Sequence, residues 1–327
     1  MRAAVITQHG TAPTARDHPD PSPGEGNALV EVTAAPITPL DVLCATGTSY
    51  FGAQPLPYIP GVQGVGRVVE AASVPAGTPV WFPSTAGMRP GDGSMAGFAV
   101  APEAELVPLP GHVEDTLVAA LGLSAVAAWM TLTWRAELRE GEQVLVLGAG
   151  GVVGQVAVQV ARRLGARRVV AACRSGAAQA RAAARGADVV VPLRDGEEAT
   201  ALTERLAEAL DGPVDVVVDP LFGVPATAAA PLLASGGRLA NLGGSAGESA
   251  TFGSAHLRSH TASILGYTNN DISVEQRREA LLAVLREAET GLTVDHDVLP
   301  LDEVAAAWSA QAAGTAARRI VLRVAGG

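Results

Sequence analysis

The chain has 327 residues, of which 48% are hydrophobic and 17% charged, a composition typical of a folded globular protein. Its formal net charge is −10 and it has no run of basic residues, which argues against nucleic acid and anionic membranes as partners. With only two cysteines, Cys44 and Cys173, it cannot form a disulfide framework or a four-cysteine zinc lobe.

The length allows about two domains, each with its own hydrophobic core. Residues 1–10 lack the apolar core of a signal peptide, and no later stretch of about twenty apolar residues is free of charge. We therefore expect a soluble, cytoplasmic protein without a membrane partner.

Short runs of strand-forming residues, separated by Gly and Pro, fill the first third of the chain. They predict strands at 3–6, 28–33, 65–69, 79–82 and 96–100, with a loop over 18–26. This pattern is typical of a compact all-β module rather than of a βαβ array. From about Glu114 the spacing of apolar residues becomes helical and predicts a long amphipathic segment that reaches Leu132.

A strand, a glycine turn, a helix and a second strand are predicted within residues 143–175. The apolar run 144–147 ends in glycines, a helical period starts at Val153, and a second apolar run occupies 169–173. This is the order of a nucleotide-binding βαβ unit; an ordinary tight turn is the alternative. We expect the turn and the helix start to hold a pyrophosphate, through Gly148, Ala149, Gly150, Gly151, Val152, Val153 and Gly154.

The end of the second strand indicates which dinucleotide binds. An NAD site normally has Asp or Glu here for the ribose 2′-hydroxyl, but this chain has Cys173, Arg174 and Ser175. A guanidinium and a hydroxyl can bind a 2′-phosphate that a carboxylate would repel. The sequence therefore predicts NADPH, bound through Arg174 and Ser175; the alternative is that Arg174 is a solvated surface residue.

Helices and strands continue to alternate after Ser175, which predicts a doubly wound parallel sheet. Asn241 and Gly243 follow one of its strands, where ligands meet such sheets. The strand 263–267 is expected at the edge, where a second copy could pair with it to form a homodimer. The elements predicted in the last part of the chain resemble those of the first part in their sequence pattern. We therefore expect residues 1–121 and 271–327 to form one domain and residues 122–270 the nucleotide domain.

Several motifs together resemble the medium-chain dehydrogenase/reductase superfamily, in its zinc-independent quinone oxidoreductase branch. They are PLDV at 39–42, PGVQGVGRVVE at 60–70, GAGGVVGQVAVQ at 148–159, DVVVDP at 215–220 and RRIVLRV at 318–324. The resemblance implies an α/β fold: a Rossmann doubly wound parallel sheet plus a discontinuous GroES-like, β-rich domain. It also implies a homodimer, NADPH and substrate in the cleft between the domains, and contact of Ser124 with the nicotinamide. By its sequence pattern alone, Ser124 could equally be a small residue in a helix interface.

The chain departs from zinc-dependent members of the superfamily at the metal ligands. Val62 and Gln63 stand where the resemblance implies a His–Glu pair, and Leu121 stands near the second Cys. Cys44 alone cannot make a site, so no metal is expected. Thr38 stands where the quinone reductase branch usually has Asn, which bears on the hydrogen bond to substrate.

Hydride transfer from NADPH to a quinone, or to the conjugated C=C bond of an enone or enal, leaves negative charge on the substrate oxygen. Tyr50, Thr38 and Tyr58 are the candidate donors to that oxygen, and Tyr50 lies near a tyrosine position of the family. Each could equally be a loop or rim residue. The alternative function is a nucleotide-binding member without hydride chemistry: a sensor, scaffold or cyclase.

Two further patterns suggest other chemistry. Residues 243–247, GGSAG, match a nucleophile elbow, which would make Ser245 the nucleophile of a hydrolase with Asp271 and His296. No helical period follows directly, so a glycine-rich cofactor loop is the better interpretation. His256 and His260 have i, i+4 spacing, but they lack the third ligand of a metal site.

Overall fold

The computed structural model describes residues 1–111 and 113–324, which fold as two compact units. Unit 1 comprises Met1–Leu123 and Val274–Gly327, and unit 2 comprises Ser124–Ser273. The boundaries predicted from the sequence, at 121/122 and 270/271, lie two and three residues away from these.

Unit 1 is built on a mainly antiparallel sheet. Its elements are β1 (Arg2–Val5), β2 (Thr14–Asp17), β3 (Asn27–Ile37), α1 (Pro39–Ala45), β4 (Gln63–Glu70), β5 (Pro79–Pro83), β6 (Phe98–Pro102), β7 (Val107–Pro108), α8 (Val274–Glu289), β14 (His296–Pro300), α9 (Val304–Ala312) and β15 (Arg319–Arg323). The strand order is β14-β15-β3-β4-β5-β7, in which β6 also pairs with β3. A separate antiparallel pair joins β1 to β2. The core contains large buried side chains such as Ile6, Ile37, Phe82, Met95 and Trp308.

Three elements of unit 1 were not predicted from the sequence: β2, α1 and the two-residue strand β7. Strand β2 has only one side chain that is even half-buried, so it lacks the apolar alternation by which strands are identified. Helix α1 begins after Thr38, in what the sequence suggested was a loop. Its start is set by a capping box, in which Thr38 and Asp41 each bond the other's backbone N–H.

The predicted long helix is interrupted. Helix α2 (Asp115–Met130) contains Gly122, whose φ of 33° and ψ of −134° are not helical. The helical segment Asp115–Arg135 is apolar and long enough to cross a membrane by length and composition, yet 67% of its most apolar window is buried within the protein. It is therefore weak evidence for a membrane span, and burial of this kind is typical of a core helix.

Unit 2 is a parallel sheet with helices between its strands. Its elements are β8 (Gln143–Leu147), α3 (Val152–Arg163), β9 (Arg168–Cys173), α4 (Gly176–Ala184), β10 (Val189–Pro192), α5 (Ala199–Ala209), β11 (Val214–Asp219), α6 (Gly223–Ala229), β12 (Leu233–Asn241), α7 (Ser254–Ser259) and β13 (Ser263–Gly266). The six strands lie in the order β10-β9-β8-β11-β12-β13. Every residue of β8 is buried, as expected for a central strand covered on both faces.

Strand β13 lies at the edge of the sheet, as the sequence predicted. The expected α/β fold, a doubly wound parallel sheet together with a β-rich domain, is confirmed.

Candidate functional site

The glycine turn between β8 and α3 is closely packed, and two of its glycines, Gly150 and Gly154, cannot be replaced by a larger residue without a clash. A Cβ at Gly150 would clash with the Ala178 Cβ at the start of α4. A Cβ at Gly154 would clash with the Ala149 Cα, so Gly154 brings helix and turn together. Gly148 has a φ of 64°, which glycine adopts without strain.

The start of α3 is free of side-chain caps. Gly151 is its N-cap and offers no side chain, and Val152 and Val153 form the first turn with Gly154. The first amides of any helix lack intrahelical acceptors, and they carry the positive end of the helix dipole. A Cβ at Gly151 would meet only the Gly148 carbonyl, at 3.7 Å, which leaves room for a ligand to approach. The turn therefore fits a pyrophosphate.

The end of β9 presents a second anion-binding surface. Arg174 and Ser175 are both exposed, and Ser175 caps α4 by accepting a hydrogen bond from the Ala178 N–H at 3.2 Å. Within the described part of the chain, the Arg174 guanidinium forms no ion pair. A free guanidinium beside the positive end of a helix suits a phosphate.

Asn241 and Gly243 lie at the end of β12 and just beyond it. The Asn241 side-chain amide donates to the Gly243 carbonyl at 2.7 Å and to the Asp219 carbonyl at 3.1 Å. A Cβ at Gly243 would lie 2.8 Å from the Pro220 carbonyl oxygen. Ser124, the remaining cofactor candidate, is half-buried in α2, two residues after the Gly122 kink.

The hydroxyl of Thr38 is already engaged. It is buried, donates to the Asp41 carboxylate at 2.6 Å and accepts from the Asp41 N–H at 3.2 Å. Asp41 also accepts from the Val62 N–H at 2.9 Å. Burial raises the pKa of Asp41, although the bonds from Thr38 and Val62 lower it in part. Thr38 therefore braces the start of α1 and has no hydrogen left to donate to a substrate.

Tyr58 differs from the other two candidate donors because its hydroxyl is buried and unbonded within residues 1–111 and 113–324. The residue is 5% exposed, and burial, with the nearby Cys44 and Asp41, raises the pKa of the phenol. Burial likewise raises the pKa of the Cys44 thiol to about 11. Tyr50 is 78% exposed, and its ring centroid lies 4.1 Å from that of Phe51. Thr38 and Tyr58 thus lie near one buried carboxylate, Asp41.

The residues at the zinc positions do not fit a metal ion. The Gln63 side-chain oxygen accepts from the Trp81 indole at 3.1 Å and from the Leu123 N–H at 2.7 Å, so it is used in packing. Leu121 is buried and apolar. Among the residues that the structure describes, no three His, Cys, Asp or Glu side chains come together as a metal site.

The surroundings of Ser245 do not form a nucleophile elbow. Ser245 lies in a loop, and its hydroxyl donates to the Pro220 carbonyl at 3.2 Å. The described residues directly after it form no nucleophile-elbow helix, because α7 starts only at Ser254. His296 belongs to unit 1, where its ring lies 3.4 Å from the Thr116 hydroxyl. His256 and His260 stack on each other, with ring centroids 4.1 Å apart.

Sequence reasoning missed three polar residues that support these sites: Asp41, Gln63 and Asp219. Asp41 was detectable, since the T-x-x-D spacing from Thr38 is that of a capping box. Asp219 ends a strand in the DVVVDP motif, but its partners lie beyond the motif. Gln63 had no local signal, because it bonds Leu123, 60 residues away.

Two family models match the chain: the alcohol dehydrogenase GroES-like domain over residues 24–111 and the zinc-binding dehydrogenase over residues 152–287. A rat quinone oxidoreductase is 30% identical over 252 residues, which cover 74% of this chain and 73% of its own. The chain belongs to the medium-chain dehydrogenase/reductase superfamily and is quinone oxidoreductase-like. The second family's name includes zinc, yet Val62, Gln63 and Leu121 are not zinc ligands.

Other similar proteins include reductases of different substrates. The quinone oxidoreductase of Thermus thermophilus, solved also with NADPH, is 28% identical with a TM-score of 0.82, covering 99% of this chain and 100% of that one. Mouse prostaglandin reductase-3 is 29% identical over 248 residues, 74% of this chain and 63% of its own. The chain spans less than two thirds of the length of the first curated relatives that it matches, 58% of one and 63% of another.

Proposed function

We propose that this protein is an NADPH-dependent, zinc-free reductase of quinones or of the conjugated C=C bond of enones and enals. The observation that carries the proposal is the pair Arg174 and Ser175 at the end of β9, beside an uncapped glycine turn. Relatives named quinone oxidoreductase and prostaglandin reductase support the substrate class. In this proposal unit 2 binds the cofactor.

The preference for NADPH follows from charge. Arg174 has no ion-pair partner among the described residues, so its charge is available to a 2′-phosphate. The Ser175 hydroxyl accepts from Ala178 and still has its own hydrogen to donate. The Gly150–Ala178 contact keeps this surface next to the glycine turn, so that one ligand can reach both. No carboxylate occupies the sequence positions that would hold a ribose 2′-hydroxyl.

NADPH, when bound, supplies a hydride, and the protein must then stabilise negative charge on the substrate oxygen. Of the three candidate donors, Tyr58 is the best supported, because its buried hydroxyl has no bond to give up among the described residues. Its raised pKa keeps the phenol protonated, so it acts as a donor rather than as a base. In this proposal the exposed Tyr50 contacts the substrate, and Thr38 caps the start of α1.

A homodimer located in the cytoplasm, with a small-molecule substrate and no nucleic acid or membrane partner, belongs to the same proposal. The second candidate is a member that binds the nucleotide without hydride chemistry. The Thr38 hydroxyl favours this candidate, because it already donates to Asp41 and so cannot donate to a substrate.

Cofactor affinity tests the proposal directly. A charge-assisted bond is worth about 1.5–3 kcal/mol, so Arg174→Ala should weaken NADPH binding about 10- to 150-fold and leave NADH almost unchanged. Arg258→Ala is the matched control, because Arg258 is an exposed arginine of α7 that bonds Ser254 in its own helix. Dissociation constants can be measured by nicotinamide fluorescence. Equal losses for NADPH and NADH would refute the assignment.

A further inference from the structure

Asp219 is a fully buried carboxylate at the end of β11, and its bonds run in two directions. One oxygen accepts from the N–H groups of Leu221, at 3.0 Å, and Phe222, at 2.8 Å, in its own loop. The other accepts at 3.2 Å from the side chain of Asn241, the last residue of β12. The carboxylate therefore links the loop after β11 to the end of β12, where both strands reach the carboxyl end of the sheet.

The loops after β11 and β12 also interlock through their backbones. The Ala246 N–H donates to the Leu221 carbonyl at 2.8 Å, and the Leu242 N–H donates to the Asp219 carbonyl at 2.9 Å. A Cβ at Gly223 would lie 2.8 Å from the Ala246 carbonyl oxygen. Displacing either segment, 219–223 or 241–247, would therefore displace the other.

The first of these loops is held in a strained conformation. Phe222 has a φ of 58° and a ψ of −152°, a region that residues other than glycine rarely adopt. Such a conformation persists only where the surroundings fix it. The bond from the Phe222 N–H to the Asp219 carboxylate is one contact that holds this backbone, and the edge-on contact of the Phe222 ring with Phe252 is another.

The position of the loops indicates what they bind. The chain passes from β8 to β9 and β10 on one side, then returns to β11 on the other side of β8, so the switch point lies between β8 and β11. Ligands of parallel sheets bind there, beyond the carboxyl ends of the strands. A Cβ at Gly148 would lie 3.0 Å from the Leu221 side chain, so the 219–223 loop adjoins the glycine turn.

We infer that Asp219 is a positioning residue, which holds segments 219–223 and 241–247 in the shape that binds the nicotinamide half of the cofactor. The inference rests on the proposed function. With the adenosine half at the end of β9 and the pyrophosphate at the glycine turn of β8, the other half extends over β11 and β12. Asp219 itself is buried beneath these loops and acts through Leu221, Phe222 and Asn241.

The test compares NADPH with 2′,5′-ADP, which carries the adenosine half alone. In Asp219→Asn, the new NH2 group replaces one of the two accepting oxygens. It then faces either the side-chain amide of Asn241 or the backbone N–H groups of Leu221 and Phe222, all of which are donors. We expect NADPH binding to weaken about 5- to 150-fold, as for a donor left unpaired, while 2′,5′-ADP binding changes less than about twofold. Asp215→Asn is the control, on the same strand but bonded to the Gln143 N–H at the opposite end; its NADPH affinity should be unchanged.

Other outcomes contradict the inference. If both ligands weaken equally in a variant with native circular dichroism, or if neither weakens, Asp219 does not position the nicotinamide loops. If the wild-type protein binds neither NADPH nor 2′,5′-ADP, the proposed function falls and this inference falls with it.

Hydrogen exchange of the wild-type protein gives a second test, which holds even if Asp219→Asn fails to fold. NADPH should slow amide exchange in both 219–223 and 241–247, whereas 2′,5′-ADP should leave both segments unchanged. Equal protection by the two ligands, or protection by neither, would overturn the assignment.

Discussion

At the scale of single residues, the Tyr58 hydroxyl, unbonded in the described part of the chain, is the feature that most separates function from stability. A buried polar group without a partner costs about 1–3 kcal/mol, so its retention in the core needs a reason outside folding. In the proposed function, donation to a substrate oxygen would supply that reason, since the bond would form only in the complex.

We predict opposite effects of Tyr58→Phe on stability and on turnover. Removing the hydroxyl should leave the free energy of unfolding unchanged or raise it by about 1 kcal/mol. The same variant should lower kcat about 100-fold or more, as for loss of a proton donor. Urea unfolding and steady-state kinetics measure the two effects. Tyr50→Phe, which removes an exposed hydroxyl, is the control; a loss of kcat there and not in Tyr58→Phe would reverse the assignment.

The ion pair of Glu142 with Arg238 is a second residue-scale feature, with a consequence for acid stability. Two bonds, of 2.7 and 2.9 Å, join the carboxylate to the guanidinium. Burial raises the pKa of Glu142, but the bonds from Arg238 and from the Arg139 N–H outweigh it, so the pKa lies below its ordinary value of 4.5. The unfolded chain therefore takes up this proton at a higher pH than the folded protein does.

The stabilisation from this pair should be complete above pH 4.5 and should be lost as the pH falls through the lower folded-state pKa. We expect Glu142→Gln to lower the free energy of unfolding by about 1–3 kcal/mol at pH 7, because the Arg238 guanidinium loses its carboxylate partner and keeps only backbone carbonyls. The difference from wild type should shrink as the solution is acidified below pH 4.5. Chemical denaturation at a series of pH values measures it, with the exposed Glu208→Gln as control. A difference that grows on acidification would contradict the account.

At the scale of elements, the glycine turn contains a position that packing restricts, Gly150, and a position that the cofactor approaches in the proposed function, Gly151. A Cβ at Gly150 would clash with Ala178 of α4, whereas a Cβ at Gly151 would make only an ordinary contact with the Gly148 carbonyl. Gly150 therefore allows the turn to pack against α4. Gly151 leaves the approach to the first amides of α3 clear.

We predict that Gly150→Ala lowers the free energy of unfolding by about 1–3 kcal/mol, as overpacking does. Gly151→Ala should change it by less than about 1 kcal/mol, since Gly151 has an ordinary φ of −79° and only an N-cap role. Gly151→Ala should nevertheless weaken both NADPH and NADH, because its methyl group would occupy the path of the pyrophosphate. Thermal melts and cofactor titrations check the pair; unchanged affinity in Gly151→Ala would place the pyrophosphate elsewhere.

Local signals explain which elements the sequence predicts. The order of strands and helices in unit 2 follows from apolar periodicity, and the glycine turn from glycine itself. The capping box of Thr38 and Asp41 and the proline at the first helical position are equally local, yet helix α1 went unpredicted because it is only seven residues long. The bonds of Gln63 to Leu123 and of Asp219 to Asn241 join distant positions, so they exist only once the chain has folded.

At the scale of the whole molecule, the free edge of β13 is the feature that bears on assembly. The strand pairs only with β12 in the sheet described, and Ile264 and Leu265 are half-buried. Neither proline nor lysine protects its free N–H and C=O groups from another strand. A two-fold related copy could extend the sheet by antiparallel pairing.

We therefore predict a homodimer that Leu265→Pro converts largely to monomer or aggregate, because proline removes one donor and blocks the ladder. Leu265→Val, which keeps the N–H, should remain dimeric. Light scattering at micromolar concentration measures the mass of each. A monomeric wild-type protein would refute the edge-pairing idea.

The central claim is that the bound nucleotide is used for hydride transfer, and the measurement that tests it most directly is NADPH oxidation by a panel of quinones and enones. The account predicts that absorbance at the reduced-nicotinamide band falls in step with substrate reduction, without added zinc and undiminished by a chelator. It also predicts that NADPH is oxidised more efficiently than NADH. NADPH that binds tightly but is not consumed with any member of the panel would contradict the claim and would support a nucleotide-binding protein without hydride chemistry.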